Sequence, residues 1–298
     1  MPAIGFIGLG VMGQPMTLNL RKAGHKLSVY ARNPAQSMPL LAAGAAVLPS
    51  PVAVAKAAEI LFINVSDAAA LEAVLFGPNG AAGGLAGGSI VVDMGTTSPT
   101  YTRLLAGRLA ERGIELVDAP VSGGEAGAIA GTLSIMAGAS EAAFERVLPL
   151  FQVLGGSVVH VGETGAGQVA KSCNQIVVSA ALLGVAEALT FAARQGVDVA
   201  KVRQALLGGS AYSKILEIHG QRMLEGNFKP GFKAKLHQKD LGIVLAEAQQ
   251  ASIALPATEL AAQLMNALVG SDGNNSGGGE LDSSALINVI QQLNRTEP

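Results

Sequence analysis

At 298 residues the chain is longer than one hydrophobic core usually supports, so two domains are expected. Charged residues are only 14% and the formal net charge is −2, which leaves no basic field for nucleic acid; the one cysteine, Cys173, excludes an internal disulfide and any multi-cysteine metal site. Hydrophobic residues reach 49%, so a membrane or unusually extensive burial must absorb them.

A membrane is the poorer reading. Residues 1–20 carry no basic segment and hold four glycines and two prolines, unlike a signal peptide. Residues 73–92 are uncharged but are broken by six glycines and Pro78, and the uncharged stretch 172–186 is too short to span. The expectation is a soluble cytoplasmic protein with no membrane partner, its surplus apolar surface buried between the subunits of a homodimer or homotetramer.

The chain opens with a short apolar run, residues 3–7, followed by Gly8-Leu9-Gly10-Val11-Met12-Gly13 and a helical segment over 14–23. Strand, glycine turn and helix in that order hold a dinucleotide pyrophosphate. Gly8 makes the turn, Gly10 lets backbone approach the phosphates, Gly13 permits close helix packing, and the helix N-terminus offers free N–H groups. Further strands are expected over 26–31, 60–65, 89–94, 115–119, 132–137 and 157–161, most of them separated by helices, which predicts a mainly parallel, doubly wound α/β sheet of Rossmann type.

Where the second strand ends, a carboxylate for the ribose 2′-hydroxyl of NAD is missing: the chain reads Tyr30-Ala31-Arg32-Asn33, and its first acidic residue is Glu59. Arg32 and Asn33 are suited to a 2′-phosphate, so NADP is the expected cofactor; if Arg32 only stacks on adenine, NAD is accepted too. Other strand ends are polar, at Asn64-Val65-Ser66-Asp67, Gly95-Thr96-Thr97-Ser98 and Asp118-Ala119-Pro120-Val121-Ser122-Gly123-Gly124, where ligands of such sheets bind. Ser122, Gly123 and Gly124 offer a hydroxyl and unhindered N–H groups to a carboxylate, or form an ordinary glycine turn.

Residues 165–196 predict one helix of about eight turns. Lys171, Asn174 and Gln175 stand at i, i+3 and i+4 on one face, and no charge follows until Glu187. Two readings of Lys171 are open here: a partly desolvated ammonium tuned for proton transfer, or a side chain that snorkels from a core helix to water. Helices at 198–207, 214–223, 237–250, 256–269 and 283–293 predict an all-α second domain. Asp198 is the expected N-cap of the first of these, and residues 270–279 are expected to form a surface loop. The lysines over 233–241 suit an anionic ligand or a solvated face, and the four histidines have no metal-ligand spacing.

With GFIGLGVMG, DAPVSGG, GTLSIMAG, GAGQVAKSCNQ and NFKPGF…LHQKDL in hand, the chain resembles the β-hydroxyacid dehydrogenase family over essentially its whole length. The resemblance implies a Rossmann domain over 1–163, an interdomain helix over 164–196 and a helical domain over 197–298 that packs on a second subunit. It implies Lys171 as general acid/base, Ser122, Gly123 and Gly124 on the carboxylate of a small aldehyde acid, and Asn174 or Gln175 orienting that substrate. Thr96 and Lys239 match positions that touch the cofactor, with Phe232 nearby. Tartronate semialdehyde, reduced to glycerate, is the leading expected substrate; 3-hydroxyisobutyrate and succinic or glyoxylic semialdehyde are alternatives. A non-catalytic dinucleotide-binding module would need neither Lys171 nor Ser122-Gly123-Gly124. The tail departs from the pattern in its long 270–279 loop and in Ser283, where the family leads one to expect a histidine.

Overall fold

The computed structural model describes residues 1–271 and 277–294. The chain divides into two compact units that meet in sequence between Lys171 and Ser172. The first unit carries a nine-stranded sheet: β1 (Ile4–Ile7), β2 (Leu27–Tyr30), β3 (Ala46–Val47), β4 (Ile60–Ile63), β5 (Ile90–Asp93), β6 (Glu115–Asp118), β7 (Val121–Ser122), β8 (Leu133–Gly138) and β9 (Gly155–Gly162). They lie in the order β3-β2-β1-β4-β5-β6-β8-β7, with β9 also on β8. Pairings from β3 to β6 are parallel; β8 runs antiparallel to β6 and β7 and parallel to β9. The sheet is thus mainly parallel and doubly wound, as the spacing of apolar runs predicts.

Both faces of the central strands are covered, which is why these strands read as unbroken apolar runs. Alternate residues go to opposite faces. Phe6, Val29, Phe62 and Val92 meet Phe151 and Leu154 on one side, while Ile7, Leu61, Ile63 and Val91 meet Leu71, Leu105 and Leu109 on the other. Phe6 and Phe62 stack at 5.8 Å and Phe62 meets Phe151 edge-on at 6.3 Å. Helix starts follow the capping residues in the sequence: Ser50, Asp67, Ser98 and Ser140 each accept an N–H of the helix they precede.

The second unit is helical, with helices Val199–Leu207, Lys214–Glu225, Ala234–Gln250, Pro256–Val269 and Leu286–Leu293 around Leu182, Leu189, Leu241, Met265 and Ile290. Asp198 caps the first of them through Ala200 and Lys201. One helix, Ala166–Arg194, is continuous across the division between units. By length and composition it is long and apolar enough to cross a membrane, which the uncharged stretch 172–186 is not, and 44% of its most apolar window is buried inside the chain.

Two strands come in addition to those expected, and three expectations need correction. The two-residue strands β3 and β7 are too short to leave a period in the sequence. The helix expected at 237 begins a turn earlier, at Ala234, where Lys233 pairs with Asp282 across an isolated bridge. The segment expected to be helical from 283 opens as a 3₁₀ turn, Ser283–Ala285, capped by Asp282. Of the loop at 270–279, residues 272–276 lie outside the described residues, but Gly278 and Gly279 are buried in a second 3₁₀ turn, and a Cβ at Gly278 would fall 2.0 Å from Leu268 O.

Candidate active site

The carboxyl ends of the parallel strands carry the first unit's candidate residues. After β1, Gly8 has φ +98 and a Cβ there would lie 2.1 Å from Asn64 O; a Cβ on Gly13 would lie 1.9 Å from Gly8 O. These two glycines close the turn, whereas Gly10 faces open space, the place where backbone can approach a ligand. Gln14 N–H donates to Gly10 O at 3.0 Å, so helical bonding starts at the loop itself, and Met12 provides no side-chain cap for helix Gly13–Lys22. The N–H groups of Val11, Met12 and Gly13 therefore have no partner within the helix and lie at the positive end of its dipole. With Leu9 buried beneath them, they fit a dinucleotide pyrophosphate.

Arg32 follows the end of β2, exposed, and among the described residues it forms no ion pair. Asn33 Oδ1 accepts Ala35 N–H at 3.1 Å, so its oxygen caps the turn Pro34–Gln36 and its amide NH₂ remains as a donor. Glu59 sits just before β4, at the amino end of the parallel strands and so opposite the end where Arg32 lies, accepting Ala3 N–H at 3.1 Å. After β4, Val65 is half-buried and Ser66 exposed, with Ser66 Oγ donating to Asp67 at 2.7 Å. Thr96, after β5, lies between two residues held by one side chain: Gln168 Oε1 accepts Thr97 N–H at 3.2 Å and Gln168 Nε2 donates to Gly95 O at 3.0 Å.

Asp118 ends β6 with no solvent exposure. Its two oxygens accept from the first turn of helix Ala166–Arg194: Gly165 N–H at 2.6 Å and Gln168 N–H at 2.8 Å. Burial pushes its carboxyl up to about 6, against the lowering effect of those N–H groups and of the Arg103 charge. Glycines make room for it: a Cβ at Gly138 would stand 2.5 Å from Asp118 Oδ1, and one at Gly167 2.9 Å from Oδ2. One turn along the helix, Lys171 is 7% exposed and its Nζ donates to Val121 O at 2.9 Å. A side chain that snorkelled to water would not end on a main-chain carbonyl. Ser122, Gly123 and Gly124 follow directly, with φ +134 and +62 at the two glycines, so no side chain shields their N–H groups.

In the second unit Asn174 Nδ2 donates to Gln175 Oε1 at 2.7 Å, and Gln175 Nε2 donates to Asp240 Oδ2 at 2.7 Å. Lys239 Nζ lies 3.1 Å from the other Asp240 oxygen. Phe232 meets the His237 ring at 5.7 Å, and its N–H donates to Asp282 Oδ2 at 3.0 Å. The structure thus joins Gly8 to Gly13, Val65, Thr96, Ser122 to Gly124 and Lys171 in one unit, and Asn174, Gln175 and Lys239 in the other, with Phe232 tied instead to Asp282. Four residues have a part here that the sequence did not assign to them: Asp118, named there only as the start of a polar strand end, Gln168, Asp240 and Asp282. The available signal was polar residues amid apolar runs, Asp118 closing a strand and Gln168 three before Lys171.

Comparison with known proteins agrees with this layout. Residues 3–162 match the NAD binding domain of 6-phosphogluconate dehydrogenase, and residues 165–290 match the family described as NAD-binding of NADP-dependent 3-hydroxyisobutyrate dehydrogenase. The chain is 46% identical over 290 residues to 2-hydroxy-3-oxopropionate reductase of Escherichia coli (strain K12), covering 97% of each protein. It superposes on Mycobacterium tuberculosis 3-hydroxyisobutyrate dehydrogenase with L-serine at a TM-score of 0.87, with 27% identity and coverage of 98% and 99%. Psf3 in complex with NADP+ and 2-OPP gives 0.88, with 27% identity and coverage of 97% and 100%.

The Asp118 carboxyl supplies a prediction about stability. Its folded value is above the ordinary 3.8, so its contribution to folding is complete below the usual aspartate range and is lost as pH rises through about 6. The stability lead of wild type over Asp118→Asn should therefore shrink from about pH 4 to about pH 7. The limit is roughly 3 kcal/mol, from 3.8 to about 6 at about 1.36 kcal/mol per unit. Urea unfolding across that range checks it, and a lead that widens with pH contradicts it.

Proposed function

Since the chain belongs to the β-hydroxyacid dehydrogenase family, nicotinamide-dependent oxidoreductases acting on a hydroxyl-bearing carbon, we propose that it reduces a short aldehyde acid to the hydroxy acid, with tartronate semialdehyde to glycerate as the leading case. The observation that carries this reading is the buried Lys171 ammonium held at Val121 O, one residue before the unshielded Ser122-Gly123-Gly124 turn. Similarity to 2-hydroxy-3-oxopropionate reductase across 97% of the chain favours tartronate semialdehyde over the longer acids.

The dinucleotide, when bound, supplies the hydride. Ser122 Oγ and the N–H groups of Gly123 and Gly124 bind the substrate carboxylate. Lys171 Nζ gives its proton to the carbonyl oxygen as that becomes an alkoxide and takes it back in the reverse reaction. Asn174, its amide oriented by Gln175 and Asp240, orients the substrate. The turn Gly8 to Gly13, Val65, Ser66 and Thr96 serve the dinucleotide, and Phe232 and Lys239 are assigned to it by their match to family positions. Arg32 and the Asn33 amide receive a 2′-phosphate, which makes NADP the preferred cofactor. Helix Ala166–Arg194 exposes Cys173, Val177, Ala180, Gly184 and Phe191 at helical spacing, a stripe interrupted by one charge, Glu187, with Val177 and Phe191 both 68% exposed. That apolar stripe is covered by a second copy of the chain in a dimer or tetramer.

Four outcomes follow. Lys171→Ala should lower kcat by roughly 10²–10⁴-fold with cofactor affinity near wild type; a loss under about tenfold sinks the assignment. In a panel of semialdehydes, tartronate semialdehyde should give the highest kcat/KM and acetaldehyde, lacking the carboxylate, a value lower by at least about tenfold; parity would remove Ser122 to Gly124 from the carboxylate site. Wild type should prefer NADPH, and Ala31→Asp with Arg32→Ala should cut the NADPH/NADH ratio of kcat/KM by roughly 10–100-fold; an unchanged ratio counts against Arg32. Light scattering at micromolar concentration should give a dimer or tetramer, and a stable monomer would refute the covered stripe.

A further inference from the structure

We propose that Asp118 is a positioning residue for the reaction: its carboxylate, accepting from Gly165 and Gln168, fixes the start of the Lys171 helix against the segment that carries Val121 and Ser122 to Gly124. This rests on Lys171 as the proton donor. Two links join residues 118–124 to the helix, the Asp118 carboxylate to its first turn and Val121 O to Lys171 Nζ at 2.9 Å. The second link alone would let the ammonium swing about its long side chain; the first fixes the backbone from which that side chain grows. Because Gln168 also holds Gly95 and Thr97, the same clamp reaches the residues on either side of Thr96.

The clamp needs an ionised carboxylate. Protonated, one oxygen carries a hydrogen and becomes a poorer acceptor, so one of the two hydrogen bonds is weakened. Helix N–H groups and the dipole favour the anion while burial opposes it, and opposition of this kind places the titration at about 6, within reach of the working pH. The charged or titratable groups on the elements packed against Asp118 include Asp93, its register partner on β5, and Arg103 on helix Pro99–Ala110, whose charge acts on it; Glu163 stands two residues before Gly165 and Lys171 three after Gln168 in sequence, and β8 places Gly138 opposite. A carboxylate that loses folding stability as it ionises is retained here for what it does when ionised.

Ionisation of Asp118 then supplies an acid limb in kcat. In the reducing direction a proton donor loses activity as pH rises, so Lys171 accounts for an alkaline limb only. Saturating kcat of the wild-type enzyme, measured from about pH 5 to about pH 8, should fall on the acid side of a single titration near 6. Asp118→Asn should lower neutral kcat by roughly 10–100-fold and abolish that limb, while the NADPH dissociation constant, read by NADPH fluorescence, changes less than about threefold. Arg103→Gln, at an exposed residue, should move the limb upward by roughly half a unit, because it removes a positive charge near Asp118. A flat wild-type profile, a limb that survives in Asp118→Asn, or one that Arg103→Gln leaves in place overturns the proposal, and the first and third hold even if Asp118→Asn fails to fold. If Lys171→Ala keeps its kcat, the proton-donor reading falls first; if Lys171→Ala is inactive and the limb is unaltered by the other two variants, only the role of Asp118 falls.

Discussion

A helix that begins deep inside a protein leaves N–H groups that water cannot reach, and the first unit meets that constraint with a single carboxylate. Asp118 lies 47 residues before Gly165 and 50 before Gln168, yet it is their acceptor. An aspartate at the helix start itself would satisfy the same donors without tying anything else down. By taking the acceptor from the end of β6, the fold converts a capping requirement into a joint between a strand end and the helix that carries Lys171. The joint explains its neighbours: glycine at 138 and 167, where any side chain would collide with the carboxylate, and Gln168, whose side chain turns back to the loop after β5.

The dinucleotide end of the sheet depends on a different economy of charge. No acidic side chain comes directly after β2, and the first one in the chain, Glu59, is at the opposite, amino end of the parallel strands, engaged with Ala3. An exposed arginine thus stands where a carboxylate would select against a phosphate. The backbone supplies the rest, through N–H groups that the glycine turn leaves without helical partners.

The second unit repeats the buried-carboxylate device with the opposite electrostatic balance. Asp282, fully buried, accepts from Gly231, Phe232 and Ser284 and lies 3.3 Å from His219 Nδ1 and 3.2 Å from Arg222 Nη1. Burial pushes its carboxyl up, but hydrogen bonds from His219, Ser284 and Phe232 outweigh that and hold it well below the usual carboxylate range. Asp282 therefore stays charged through the working pH and ties residues 231–232 to the 3₁₀ turn after it, whereas Asp118 sits where protonation is accessible. Donor count decides the difference: Asp118 has two N–H groups from the helix, Asp282 a shell of main-chain, hydroxyl, imidazole and guanidinium donors.

The sequence alone determined what repeats or is short-range. Apolar runs with two buried faces specify a parallel sheet, the glycine turn between strand and helix specifies a dinucleotide loop, and Lys171, Asn174 and Gln175 share a face because helical spacing requires it. Arg32 is legible too, since its meaning rests on which residue types are missing nearby. Tertiary structure decided what depends on distant partners. Whether Lys171 reaches water or is held inside turned on Val121, 50 residues earlier, and no local pattern records that contact. The same holds for Asp118, which reads in sequence as the polar end of a strand, and for Gln175, whose amide is aligned by Asp240, 65 residues on. Buried polar groups must find partners, but the sequence shows only that they are needed; the fold chooses which groups answer.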